Sequence, residues 1–135
     1  MKNSIYAMLG LVFLFTISIS FTEIVQDVWI VPASYENMEN PVSADKESMR
    51  EGKGLYAKHC KSCHGKEGLG DGSKAAQLDT PSGDFSTEEF QSQSDGALFY
   101  KIREGRDDMP GFDKKLPDDE EVWSVVNILR TLGDF

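Results

Sequence analysis

The 135-residue chain, 39% apolar and 27% charged, has room for one small soluble domain. Only two cysteines are present, Cys60 and Cys63, which excludes a disulfide scaffold. With 23 acidic against 14 basic side chains the net charge is −9, which excludes nucleic-acid binding through a basic patch and leaves function to be sought beside the cysteine pair.

Behind a single lysine, Lys2, the chain runs apolar from Ile5 to Phe21, broken only by Gly10, Thr16, Ser18 and Ser20. A positive start ahead of an uncharged apolar stretch is the layout of a secretory signal, and Ser18 and Ser20 suit a cut after Ser20. The alternative for residues 1–21 is an uncleaved membrane anchor through residues 5–21, just short of a comfortable span. Either way the rest of the chain is expected to be exported.

Residues 22–44 carry no clear period and are punctuated by Pro32 and Pro41, which predicts an extended N-terminal strap. Its cluster Val28-Trp29-Ile30-Val31 is too apolar for a free linker. It either packs on the domain or lies at a membrane surface.

Three helices are expected in the domain, placed at residues 45–135. The first covers 44–61, with Met49, Gly52, Tyr56 and Cys60 along one face. Ser48 and Glu51 fit a capping box there, although Ser43 or Asp45 suits the cap equally well. The second covers 95–104, between Ser94 as cap and Gly105 as stop. The third starts after Pro117, with Asp118 and Glu121 at its head, Arg130 near its end and Gly133 beyond. Val122, Val125, Val126, Leu129 and Leu132 give it an apolar stripe. No alternating strand pattern is present, so the fold is expected to be all-α with long loops.

The chemistry lies in Cys60-Lys61-Ser62-Cys63-His64. Two thiols three residues apart can each add to one vinyl group of a single haem, and the next residue then offers its imidazole to the iron. A thioredoxin-like redox pair would need a βαβ context, which is missing. A zinc site would need a fourth ligand, and His59 is too close in sequence to close a tetrahedron. Export also suits covalent haem better than a reduced cytosolic site.

Around this pentapeptide the chain resembles the class I c-type cytochromes, over about residues 48–133. Gly52 and Tyr56 stand where that family has a glycine and an aromatic on its N-terminal helix. Gly65-Lys66-Glu67-Gly68-Leu69-Gly70-Asp71-Gly72 is similar to the glycine-rich loop after the haem histidine. Gly105-Arg106-Asp107-Asp108-Met109-Pro110 is similar to the sixth-ligand loop of small bacterial monohaem members. The resemblance implies a cytochrome c fold with N- and C-terminal helices crossing around one covalently attached haem c.

It further implies that Cys60 and Cys63 hold the haem and that His64 and Met109 bind its iron. Met109 lies 45 residues beyond His64, enough chain to wrap a porphyrin, and Pro110 stiffens its loop. Met38 is the less suited alternative, Met49 shares a helix with Cys60, and Met1 and Met8 lie in the targeting segment. A backbone carbonyl at Ser73 is the expected acceptor for the ring N–H of His64. Lys101, Arg103 and Arg106 are candidates for the haem propionates, with solvated surface as their bland alternative. Charge is uneven: residues 1–77 hold 8 bases and 9 acids, residues 78–135 hold 6 bases and 14 acids.

The function expected is one-electron transfer between redox protein partners, respiratory complexes among them. The protein would be monomeric outside any complex, in the periplasm or on the outer face of the cytoplasmic membrane, and not itself an enzyme. One alternative is a membrane-anchored haem c subunit of a larger oxidoreductase complex. Another is a haem sensor or peroxidase with an exchangeable sixth position.

Overall fold

The structure is a computed structural model and describes residues 28–133. The expected signal or anchor at 1–21 and the first part of the strap, 22–27, lie outside the described residues, as do Met1 and Met8. Among the described residues no helix is long and apolar enough to cross a membrane.

The described chain is built from helices: α1 (Ala33–Glu36), α2 (Lys46–His59), α3 (Lys61–His64), a 3-10 turn (Ala75–Gln77), α4 (Glu88–Gln91), α5 (Asp95–Glu104) and α6 (Asp119–Thr131). The three long ones are those that the sequence predicts, and local chemistry sets their ends. Asp45, one of the three candidate caps, starts α2 by accepting from the N–H groups of Glu47 and Ser48 at 2.9 and 3.1 Å. Ser48 instead turns its hydroxyl back to the Ser43 carbonyl. Ser94 caps α5 through Ala97 N–H at 3.1 Å, and Asp118 caps α6 through Glu120 N–H at 3.0 Å. Gly105, at φ 70°, stops α5.

Helix α6 buries every residue from Val122 to Leu129, so its stripe is wider than the sequence pattern suggests. It packs on α2 at Gly52. A Cβ at Gly52 would lie 2.0 Å from the Ser124 carbonyl oxygen and 3.0 Å from Cγ1 of Ile128. The two backbones are therefore in direct contact, as a side chain of hydrogen alone allows. Beside that contact the Ser124 hydroxyl donates to the Glu51 carboxylate at 3.1 Å.

The N-terminal segment packs on the domain. It is not extended throughout: Pro32, at φ −61°, starts the single turn α1, and its carbonyl accepts from Tyr35 and Glu36. Tyr35 lies against the rings of Phe99 and Tyr100. Asn40 donates to the Asn127 side chain at 2.9 Å, and Asn127 donates to the Val42 carbonyl at 3.1 Å. The turns at 75–77 and 88–91 have too few residues to leave a periodic signal.

Gly52 and Gly54 occupy the same helix in opposite circumstances, since nothing lies within 4 Å of a Cβ built at Gly54. Gly52→Ala should destabilise the protein by about 3 kcal/mol or more through overpacking against backbone. Gly54→Ala should stabilise it by up to about 1 kcal/mol through helix propensity. Urea unfolding followed by far-UV circular dichroism measures both.

Candidate functional site

The turn α3 begins as α2 ends. The N–H groups of Cys63 and His64 both donate to the Cys60 carbonyl, at 3.1 and 3.0 Å. One tight turn thus carries both thiols and the imidazole. The following loop folds back upon it: Gly70 N–H donates to the His64 carbonyl at 2.9 Å, and Gly72 N–H to the Cys63 carbonyl at 3.2 Å. A Cβ at Gly72 would meet the Ser62 carbonyl oxygen at 2.4 Å, so the loop needs glycine to come this close. From α2, the buried Tyr56 hydroxyl donates to the Gly65 carbonyl at 2.8 Å. Burial foremost, with the neighbouring Cys60, Asp71 and Glu67 adding to it, pushes the Tyr56 phenol up, so it stays a donor.

Cys60, Cys63 and His64 line a cavity of about 520 Å³, and Met109 lines the same cavity. Leu98 and Ile102 from α5 and Leu129 from α6 supply apolar wall, together with Phe85, Phe90 and Phe112. Met38 and Met49 are not among its lining residues. Met109 closes a tight turn with Arg106. The Arg106 N–H donates to the Met109 carbonyl at 2.8 Å, and the Met109 N–H to the Arg106 carbonyl at 2.9 Å. Asp107 takes a left-handed φ of 52° within it. The Asp108 carboxylate accepts from Thr80 N–H at 2.8 Å and so ties this turn to the loop before Phe85.

Burial favours the neutral form of Cys60 and, followed by the neighbouring Cys63, pushes its thiol up to about 12. Thiols that attack in disulfide exchange are lowered instead, so Cys60 is unlike a thioredoxin-type nucleophile. Burial also lowers His64, while the Ser82 backbone oxygen pulls it partly back. That oxygen, and not the Ser73 carbonyl expected from sequence, is the backbone group that acts on the ring. His64 Nδ1 and the Ser82 hydroxyl are both buried without a hydrogen-bond partner. The loop from 74 to 82 returns to the imidazole by a path that sequence spacing does not reveal.

Of the three candidates for the propionates, Lys101 and Arg106 line the cavity. Arg103 is committed elsewhere. It donates to the Leu116 carbonyl at 2.7 Å and pairs with Asp119 at the head of α6. The sequence reading missed Phe85 and Phe90, two aromatics isolated in a polar stretch. Phe85 stacks on His64 with centroids 4.5 Å apart and on Phe90 at 4.3 Å. Their isolation among polar residues was the available signal.

A helical domain with two thiols and an imidazole on one turn, facing one large and mainly apolar cavity, has the attributes of a c-type cytochrome. The chain belongs to the family described as cytochrome c oxidase, cbb3-type, subunit III, whose profile matches residues 47–127. It is similar to a protein in the Kuenenia stuttgartiensis reducing HAO-like protein complex, at a TM-score of 0.62 and 27% identity over 70% of this chain and 49% of that one. It is also similar to the KustC0563 c-type cytochrome, at a TM-score of 0.53 and 34% identity over 60% of this chain and 95% of that one. The chain thus spans about half the length of the first of these relatives. No curated protein matches.

Membership of a cytochrome c family brings covalently bound haem c. The residues present fit the cofactor. The cavity is large and mainly apolar-walled, and both thiols and the imidazole line it.

Tyr56→Phe leaves the Gly65 carbonyl without its buried donor. The variant should lose about 1–3 kcal/mol. Denaturant unfolding of wild type and variant at one pH measures the difference.

Proposed function

We propose that the protein is an exported monohaem cytochrome of class I that carries one electron at a time between protein partners. The observation that carries this reading is the meeting of Cys60, Cys63, His64 and Met109 at one cavity. Cys60 and Cys63 would hold the haem through thioethers, and His64 and Met109 would bind its iron. When bound, haem supplies the Fe(III)/Fe(II) couple. The polypeptide does the rest. The α3 turn fixes the imidazole, and the Arg106–Met109 turn holds the thioether sulfur on a loop stiffened by Pro110. The apolar walls from α5 and α6 exclude water. A neutral sulfur donor favours the ferrous state over the ferric, which suits a carrier of relatively high potential.

The cytochrome c domain in this reading is residues 45–135, with residues 1–21 as signal peptide or anchor. The protein acts in the periplasm or on the outer face of the cytoplasmic membrane, in a respiratory chain. It is monomeric outside any complex and passes electrons without catalysing a reaction of its own. Two likenesses favour a second reading, a membrane-anchored haem c subunit of a larger oxidoreductase complex. One is the family's description as an oxidase subunit, and the other is the relative that is part of a protein complex. Intact mass separates the two: loss of the first 20 residues supports the free carrier, and their retention in the membrane fraction supports the anchored subunit.

Changing Cys60 and Cys63 together to alanine should give exported protein that loses all haem on acid–acetone extraction, whereas either single change leaves at most one thioether. Haem that resists extraction from the double variant would overturn the attachment.

Met109→Ala should abolish the methionine–iron charge-transfer band of the oxidised protein and open the reduced protein to carbon monoxide. Met109→His should keep the iron low-spin and lower its potential. A band unchanged in Met109→Ala would transfer the ligand role to Met38 or Met49.

A further inference from the structure

Trp29 precedes the residues that match the family, 47–127, yet it lines the cavity together with His64 and Met109. Two cations lie over its ring. The Arg106 guanidinium carbon is 4.8 Å from the ring centroid, and the Lys101 Nζ is 5.4 Å from it. Both cations also line the cavity. An indole face attracts a cation by roughly 0.5–2 kcal/mol, more as water is excluded. One aromatic side chain thus holds two positive charges together at the cavity, where they would otherwise repel.

The segment that carries Trp29 is fastened to the elements that build the cavity. The Ser94 hydroxyl at the head of α5 donates to the Glu36 carboxylate at 3.0 Å. On α5 itself, a Cβ at Gly96 would lie 1.9 Å from the Tyr35 carbonyl oxygen, so the strap touches the helix backbone. Asn40 fastens its other end to α6. The neighbours of Trp29, Val28 and Ile30, are 74% and 83% exposed. Alternation therefore turns the indole inward from an otherwise exposed stretch. Among their polar contacts, Lys101 donates to the Gln93 side chain, and Arg106 meets the Asp107 carboxylate at 3.3 Å.

Haem brings two carboxylates as well as its iron, and carboxylates taken from water need cations or donors. We propose that the N-terminal strap is part of the haem site: Trp29 forms a wall of the cavity and holds Lys101 and Arg106 as the receivers of the haem carboxylates. The inference rests on the reading that haem occupies this cavity. It assigns to residues before the family match a share in setting the potential. Cations beside the carboxylates offset negative charge near the iron, and an indole wall keeps water from the haem edge. Both favour the ferrous state.

The test is the midpoint potential of the full-length, haem-loaded protein, measured by spectroelectrochemistry. The double variant Lys101→Gln/Arg106→Gln should shift the reduction equilibrium toward ferric by about tenfold, which is 59 mV for one electron. Trp29→Ala should shift it in the same direction, whereas Trp29→Phe and Arg106→Lys should restore most of the wild-type value. Lys66→Gln removes one exposed charge that does not line the cavity and calibrates the general effect of lost charge. Shifts in the double variant and in Trp29→Ala no larger than that of Lys66→Gln would overturn the proposal while leaving the haem reading intact. A wild-type protein without covalent haem would overturn both.

Discussion

The contact of the Gly52 backbone with the Ser124 carbonyl sets the frame on which the rest of the structure depends. It fixes α2 against α6 with no side chain between them. From Gly52, α2 runs eight residues to Cys60, about 12 Å of helix. The first thiol is therefore delivered at a set distance from the crossing. On the other helix, Leu129 lines the cavity that the thiols face. Anything that parts the helices at Gly52 moves the attachment turn relative to its wall.

The cavity itself explains why so small a domain keeps a cofactor as part of its core. The space of about 520 Å³ is walled by Leu98, Ile102, Phe85 and Phe112, apolar side chains that lack packing partners on that side. A covalently held haem supplies apolar mass against those walls, and in a family of c-type cytochromes it is structural as well as functional.

What was legible in the sequence was local. The spacing of Cys60, Cys63 and His64, the cap at Ser94, the stop at Gly105 and the stripe on α6 are each set by residues within a few positions of one another. Met109 was distant but marked by its Pro110 neighbour. The unread parts depend on contacts between remote segments. Ser82 reaches His64 across 18 residues, and Trp29 reaches Lys101 and Arg106 across more than 70. A loop carries no period, so in residues 78–90 only the isolation of Phe85 and Phe90 among polar neighbours hints at which side chains turn inward. The strap was ambiguous for the same reason: an apolar cluster does not say what it packs on. Arg103 looked like a free cation until the fold placed it beside the Leu116 carbonyl and Asp119.

The same long-range contacts bear on the electron transfer proposed for the site. A site that changes charge by one unit without rearranging needs its surrounding loops held from outside. Here polar bonds do so where the backbone offers no regular ladder. Asp108 fastens the Met109 turn to Thr80, and Gln91 bridges the Phe85 carbonyl and the Leu129 carbonyl on α6 at 2.7 and 2.9 Å. Arg130 donates to Asp95 and to the carbonyls of Gln91 and Gln93, so the end of α6 clamps the start of α5. A last-turn arginine would serve the helix dipole from almost any rotamer. This one spans three acceptors from Gln91 at the end of α4 to Asp95 at the start of α5, and so holds the segment after Phe90 against α6.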